Sequence, residues 1–149
     1  MKSLFNQSDT KEIIDRINRL TPETKAQWGK MNVSQMLAHA QAPLHIATDK
    51  LKLKRGLIGI LFGRIAKKQL MKPEPFKKNL PTAPEFVRKD ERVFKAEKEN
   101  LIDSINSFTK AGSSGITKEA HPFFGKMTAE EWDILQWKHL DHHLRQFGV

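Results

Sequence analysis

Apolar residues recur at helical spacing along almost the whole chain, and strand-like alternation never persists for more than a few residues. Ile13, Ile14, Ile17 and Leu20 mark one stripe of a first helix. Asp9 and Glu12 have the spacing of a capping box at its start, and Thr21-Pro22 closes it. A second helix opens at Asn32, with Gln35 completing a capping box and Met31 and Met36 spaced as a hydrophobic staple. Its apolar arc is Val33, Met36, Leu37, Ala40, Leu44 and Ala47. Pro43 falls inside this arc and cannot donate to the carbonyl of His39, which predicts a kink there. Gly56 to Met71 is a shorter, basic, amphipathic helix, and Lys72 to Glu85, with four prolines, is a loop. Asp90 to Thr109 is the third long helix, with Val93, Phe94, Leu101, Ile102, Ile105 and Phe108 turned inward. After a connection ending in HPFFGK, Thr128 and Glu131 cap a last helix that runs to about Phe147, and Met127 and Trp132 staple it. Four long helices, each with one apolar face, predict an all-α fold: a four-helix bundle with one extra short amphipathic helix, in a single domain over residues 1–149.

Composition narrows the chemistry. With 38% apolar residues, the chain can build a modest core. Cysteine is absent, so a disulfide framework, a thiolate nucleophile and Cys-ligated zinc are excluded, and thiol chemistry would have to take its sulfur from a substrate. The first residues lack the apolar run of a signal peptide, and the longest apolar stretch, Gly56 to Gly63, is far short of the ~20 residues that span a bilayer. A cytoplasmic protein is expected. The net charge of +9 is concentrated: Asp49 to Lys78 holds ten Lys or Arg against two acids. GLIGILFGRIAKKQL is too apolar for a nucleic-acid recognition helix. It is expected to cover the bundle mouth or a homodimer seam, with an anionic partner or a membrane surface as the alternative.

Three of the six histidines stand together in KHLDHHLRQF. His139 and His143 are about 40° apart on a helical wheel, one turn from each other, on the side of Trp132, Leu135 and Gln146. His142 lies at the border of this stripe and Asp141 roughly opposite. Two stacked imidazoles are either buried side chains satisfied by hydrogen bonds or two arms of a metal clamp. On the second helix, His39 sits at the edge of the apolar arc and is the better third ligand, whereas His45 falls on the polar side. Three neutral nitrogens with an open fourth position suit Zn²⁺ or Ni²⁺. His121, in the loop before the last helix, is a candidate acid/base group or fourth ligand, the alternative being a plug made with Phe123 and Phe124. His142 and Glu97 are candidates for the same surroundings, Glu97 as a carboxylate partner of a ligand histidine or as a snorkelling edge residue.

A helical bundle with a histidine near the middle of its second helix and H-x-x-H-H-x-x-Q on its last helix resembles the DinB/YfiT-like metalloenzyme superfamily. WGKMNVSQMLAH (Trp28 to His39) and HPFFGKMTAEEW…KHLDHHLRQFG (His121 to Gly148) resemble one branch of it, a family of unknown function. The resemblance implies a metal held by His39, His139 and His143. It also implies kinship with bacillithiol transferases and mycothiol-dependent isomerases, and hence a metal-dependent transferase or hydrolase acting on a small molecule with a low-molecular-weight thiol cosubstrate. The alternative is a non-catalytic binding protein that uses the basic segment 50–78. The chain departs from the superfamily's H-H-R-G-Q ending: after His142 it reads His143-Leu144-Arg145-Gln146, without the glycine.

Overall fold

A computed structural model describes residues 1–80 and 84–149, with Glu85 through its backbone alone. The fold is all-α, built from α1 (Gln7–Arg19), α2 (Val33–Ala47), α3 (Leu57–Leu70), α4 (Phe94–Ala111) and α5 (Ala129–Gln146). No strand occurs among the described residues. Of the expected proline loop, Pro81 lies outside the described residues; the part before it is irregular, and Pro84–Phe86 forms a single 3-10 turn.

Helix starts follow local capping chemistry. Asn32 and Thr128 each accept the N–H three residues on, from Gln35 and Glu131, and each of those side chains accepts the cap's own N–H. The start of α1 differs from the expectation. Asn6 is the cap, accepting from the N–H groups of Ser8 and Asp9, while Asp9 reaches back to accept from Ser3 N–H. The start of α4 also differs: Val93 is extended and 70% exposed, so the helix begins at Phe94 and the inward stripe starts one residue later than expected. α2 runs through Pro43.

α1, α2, α4 and α5 form the bundle, with α2 and α4 side by side and α5 against α1 and α2. Ile13, Ile17, Leu37, Leu44, Leu101, Ile105, Phe108, Trp132 and Leu144 make its centre. α5 is covered on several sides, not along one stripe. Asp133, on its outer turn, accepts from Leu4 N–H and from the Ser3 hydroxyl, tying the N-terminal segment to α5. Asp141, expected to point away from the core, is buried. Arg16 of α1 donates to its Oδ1 at 2.8 Å, and Arg145 donates to Oδ2 at 2.8 Å.

α3 stands outside the four-helix core. Gly59 and Gly63, one turn apart, rest on the backbone of Pro122–Phe124, where a Cβ on Gly63 would lie 2.1 Å from the Phe123 carbonyl oxygen. Lys138 of α5 is buried and donates to the Leu70 and Lys72 carbonyls, completing the C-terminus of α3. Gly59, Gly63 and Leu70 are its buried residues. α3 therefore packs on the 122–124 loop through its small-residue face, and its large apolar side chains remain outside.

The Arg16–Asp141 pair supplies a test. Asp141→Ala strands a buried guanidinium and is expected to cost about 3–5 kcal/mol in urea unfolding. Arg16→Ala is expected to cost less, because Arg145 still neutralises Asp141. The reverse order would contradict this account of the pair.

Candidate metal centre

His39 projects from α2, and His139 and His143 project from one face of α5, where the i, i+4 spacing stacks them. Packing of α2 against α5 brings the three rings together, with centroids 4.6–5.1 Å apart. The Nε2 atom of His139 lies 3.2 Å from Nε2 of His39 and 3.2 Å from Nε2 of His143. One ligand atom from each residue falls within 4.8 Å of the others, and no other such His, Cys, Asp or Glu cluster occurs among the described residues.

The hydrogen bonds behind the rings fix which nitrogens carry protons. Nδ1 of His39 is 2.9 Å from the carbonyl oxygen of Phe86, which can only accept, so Nδ1 holds the proton and Nε2 presents a lone pair. Nδ1 of His143 is 2.8 Å from Oε1 of Gln146. The Gln146 amide is oriented by its Nε2, which donates to the Trp28 carbonyl at 2.7 Å, so its oxygen faces the imidazole and His143 is also the Nδ1–H tautomer. Two lone pairs thus converge on Nε2 of His139. The Nδ1 of that ring is buried and has no partner.

This arrangement leaves His139 without a satisfying neutral state. A proton on Nδ1 is an orphan donor and leaves three lone pairs facing one another. A proton on Nε2 must be shared between two acceptors and leaves Nδ1 an orphan acceptor. Either costs about 1–3 kcal/mol for the unsatisfied group. A divalent cation among the three nitrogens resolves the repulsion. Nitrogens on a tetrahedral zinc at ~2.0–2.1 Å stand ~3.3–3.4 Å apart, close to the separations seen here. The residues present therefore fit a three-nitrogen metal site.

Electrostatics favour the same state. Burial lowers the pKa of His39 and pushes that of His139 well below the ordinary range. Burial, followed by the neighbouring His39, brings His143 down to about 3. An ordinary imidazole titrates near 6.5, so burial favours the uncharged form of all three rings at neutral pH.

The other candidates lie elsewhere. His121 is buried between Trp132 and Phe124, and its Nδ1 accepts the N–H groups of Phe123 and Phe124 at 3.0 and 3.1 Å. Burial lowers its pKa to about 4. Its bonds fold the loop on which α3 rests, which is the plug reading and not an acid/base position. His142 stacks edge-on with Trp28, Phe76 and His143, outside the nitrogen cluster. Glu97 is not paired with a ligand imidazole. Its oxygens accept from Gln41 at 2.8 Å and Arg92 at 3.2 Å, on the wall of a small cleft of about 140 Å³ between α2 and α4. His45 is half-buried and donates to Ser104 Oγ at 3.0 Å, the serine's own proton going to the Asn100 carbonyl, so it is less solvated than expected.

Three contributors escaped the sequence reading. The Phe86 carbonyl comes from a turn with no side-chain signature. Trp28 acts through its carbonyl. Gly29 has φ +86°, and a Cβ there would lie 2.3 Å from Gln146 Nε2, so glycine is needed for both conformation and approach. Gln146 itself was legible as the residue one turn beyond His143 on the same face.

A family model described as "Protein of unknown function (DUF1569)" matches residues 2–148, and the chain belongs to that family. No curated protein and no solved structure matches it.

The partners behind the ligands yield a prediction. Gln146→Ala frees the His143 ring and is expected to weaken Zn²⁺ binding about 10–100-fold in competition with a chromophoric chelator. Gly29→Ala, by displacing Gln146, should shift affinity in the same direction and also lower the melting temperature. Unchanged affinity in both variants would show that the Gln146 amide does not set the ring.

Proposed function

We propose that this member of the DUF1569 family is a mononuclear metal protein of DinB-like type that binds Zn²⁺ or Ni²⁺ through Nε2 of His39, His139 and His143, and that it acts on a small molecule as a metal-dependent transferase or hydrolase. The observation that carries the reading is the convergence of three Nε2 atoms, two with tautomers locked by Phe86 and Gln146. The DinB-like placement draws support from the helical bundle and from ligand positions on its second and last helices.

A divalent ion on three neutral ligands keeps its full charge and lowers the pKa of a water or thiol placed against it. The chain's part is to hold the nitrogens proton-free and to fix the His39 and His143 rings, with Nε2 of His139 between them. The described residues supply no carboxylate to the nitrogen cluster and the chain has no cysteine, so a nucleophile must arrive from outside. A low-molecular-weight thiol meets that requirement, and a reducing, cytoplasmic compartment would keep it reduced. The other reading, a non-catalytic binding protein acting through segment 50–78, is favoured by the exposed apolar face of α3. The two uses occupy different surfaces.

Metal content by mass spectrometry tests the assignment. The wild-type protein and His45→Gln are expected to hold one Zn²⁺ or Ni²⁺ per chain, and His39→Ala and His143→Ala to lose it. With Co²⁺ in place, a small thiol such as 2-mercaptoethanol is expected to add a sulfur-to-metal charge-transfer band. Equal metal content in all four proteins would refute the site. A loaded site blind to thiol would refute the thiol cosubstrate alone.

A further inference from the structure

The amphipathic pattern of α3 is turned outward. Ile58, Leu61, Phe62 and Ile65 follow i, i+3, i+4, i+7 spacing and form one stripe, while the face that packs on the protein is Gly59, Gly63 and Leu70. All four stripe residues, with Leu57 and Ile60 beside them, are more than half exposed, Leu61 at 70% and Ile65 at 69%. A contiguous apolar surface of this kind on a folded chain marks an interaction site. The helix is preformed: its glycines sit on the 122–124 backbone, Lys67 donates to the Lys126 carbonyl and to Glu131, and Lys138 closes its C-terminus. Docking through it would require little further ordering.

The charges around the stripe indicate what covers it. Arg64 and Lys68 are exposed on the same helix, and Lys50, Lys52, Lys54 and Arg55 lead into it, also exposed. Asp49, one of the segment's two acids, is engaged by the Thr117 hydroxyl at 2.8 Å. A second copy seated face to face would bring two such basic segments, each with ten cations against two acids, into contact. An anionic surface would neutralise them instead. At 14 residues α3 is about 21 Å long, and no helix among the described residues is long and apolar enough to cross a membrane. An apolar face bordered by Lys and Arg suits a helix lying in the plane of a bilayer interface.

We propose that α3 docks the protein on an anionic bilayer surface, with Ile58, Leu61, Phe62 and Ile65 entering the headgroup–acyl boundary and Arg64, Lys68 and the cations of Lys50–Arg55 meeting lipid phosphates. This proposal is independent of the metal centre.

Co-sedimentation with vesicles of phosphatidylcholine containing about 30% phosphatidylglycerol, against pure phosphatidylcholine, is the test. The protein is expected to pellet with the anionic vesicles at ~0.1 M salt and to be largely released at ~1 M, where the screening length falls to about 3 Å. Leu61→Ser with Ile65→Ser, at positions whose exposure makes folding indifferent to them, should weaken binding about tenfold or more. Arg64→Glu with Lys68→Glu should weaken binding to the anionic vesicles. Absence of pelleting, or equal pelleting with neutral vesicles, overturns the proposal. So does a dimer in analytical ultracentrifugation that the double serine variant splits without any vesicle binding, since the face would then belong to a second copy.

Discussion

Two hydrogen bonds made behind the imidazole rings govern what the front of the site can be. Because Phe86 offers His39 only a carbonyl and Gln146 offers His143 only its amide oxygen, both rings direct a lone pair at His139. Electron pairs from separate helices do not converge at about 3 Å in an apolar seam without something positive between them. One shared proton is the smallest such charge, and a divalent metal ion is the one that satisfies all three nitrogens. The Trp28–Gly29 turn belongs to the same constraint, because it holds Gln146 in the orientation that sets the His143 tautomer.

The bundle is organised to keep α5 in place. Asp133 binds the N-terminal segment, Asp141 binds Arg16, and Lys138 caps α3, so polar side chains on three sides of one helix each find a partner on a different element. The Gln27 N–H donates to the Gln146 carbonyl, joining the α1–α2 connection to the end of α5. These contacts fix the height and rotation of His139 and His143 relative to His39 on α2. The His121 loop serves the other end, where its Nδ1 gathers two backbone N–H groups and makes the flat seat for Gly59 and Gly63.

What could be read in the sequence was what depends on local spacing. The boxes at Asn32/Gln35 and Thr128/Glu131 need only a three-residue offset, and the His139/His143 stack needs only the helical period. Spacing failed where two local solutions competed: Asn6 and Asp9 both suit a helix start, and the structure gives the cap to Asn6 while Asp9 closes the preceding turn. It failed at Asp141 because the wheel assumes one buried stripe, whereas a helix packed on several sides can bury a charge that finds a counter-ion. It could not supply Phe86, a backbone group 47 residues from His39 in sequence. For α3, the apolar periodicity showed an amphipathic helix but not its direction. Gly59 and Gly63, one turn apart, were the signal, since small residues so placed allow a helix to approach backbone closely.

Nitrogen-15 correlation spectra of the histidine side chains give the most direct view of this constraint, because they report the tautomer of each ring. In metal-free protein at neutral pH, His39 and His143 are expected to be neutral Nδ1–H tautomers, and on titration with Zn²⁺ the Nε2 signals of His39, His139 and His143 should shift together at one equivalent while His45 and His121 stay in place. A proton on Nε2 of His39 or His143, or a zinc response confined to other histidines, would contradict the account.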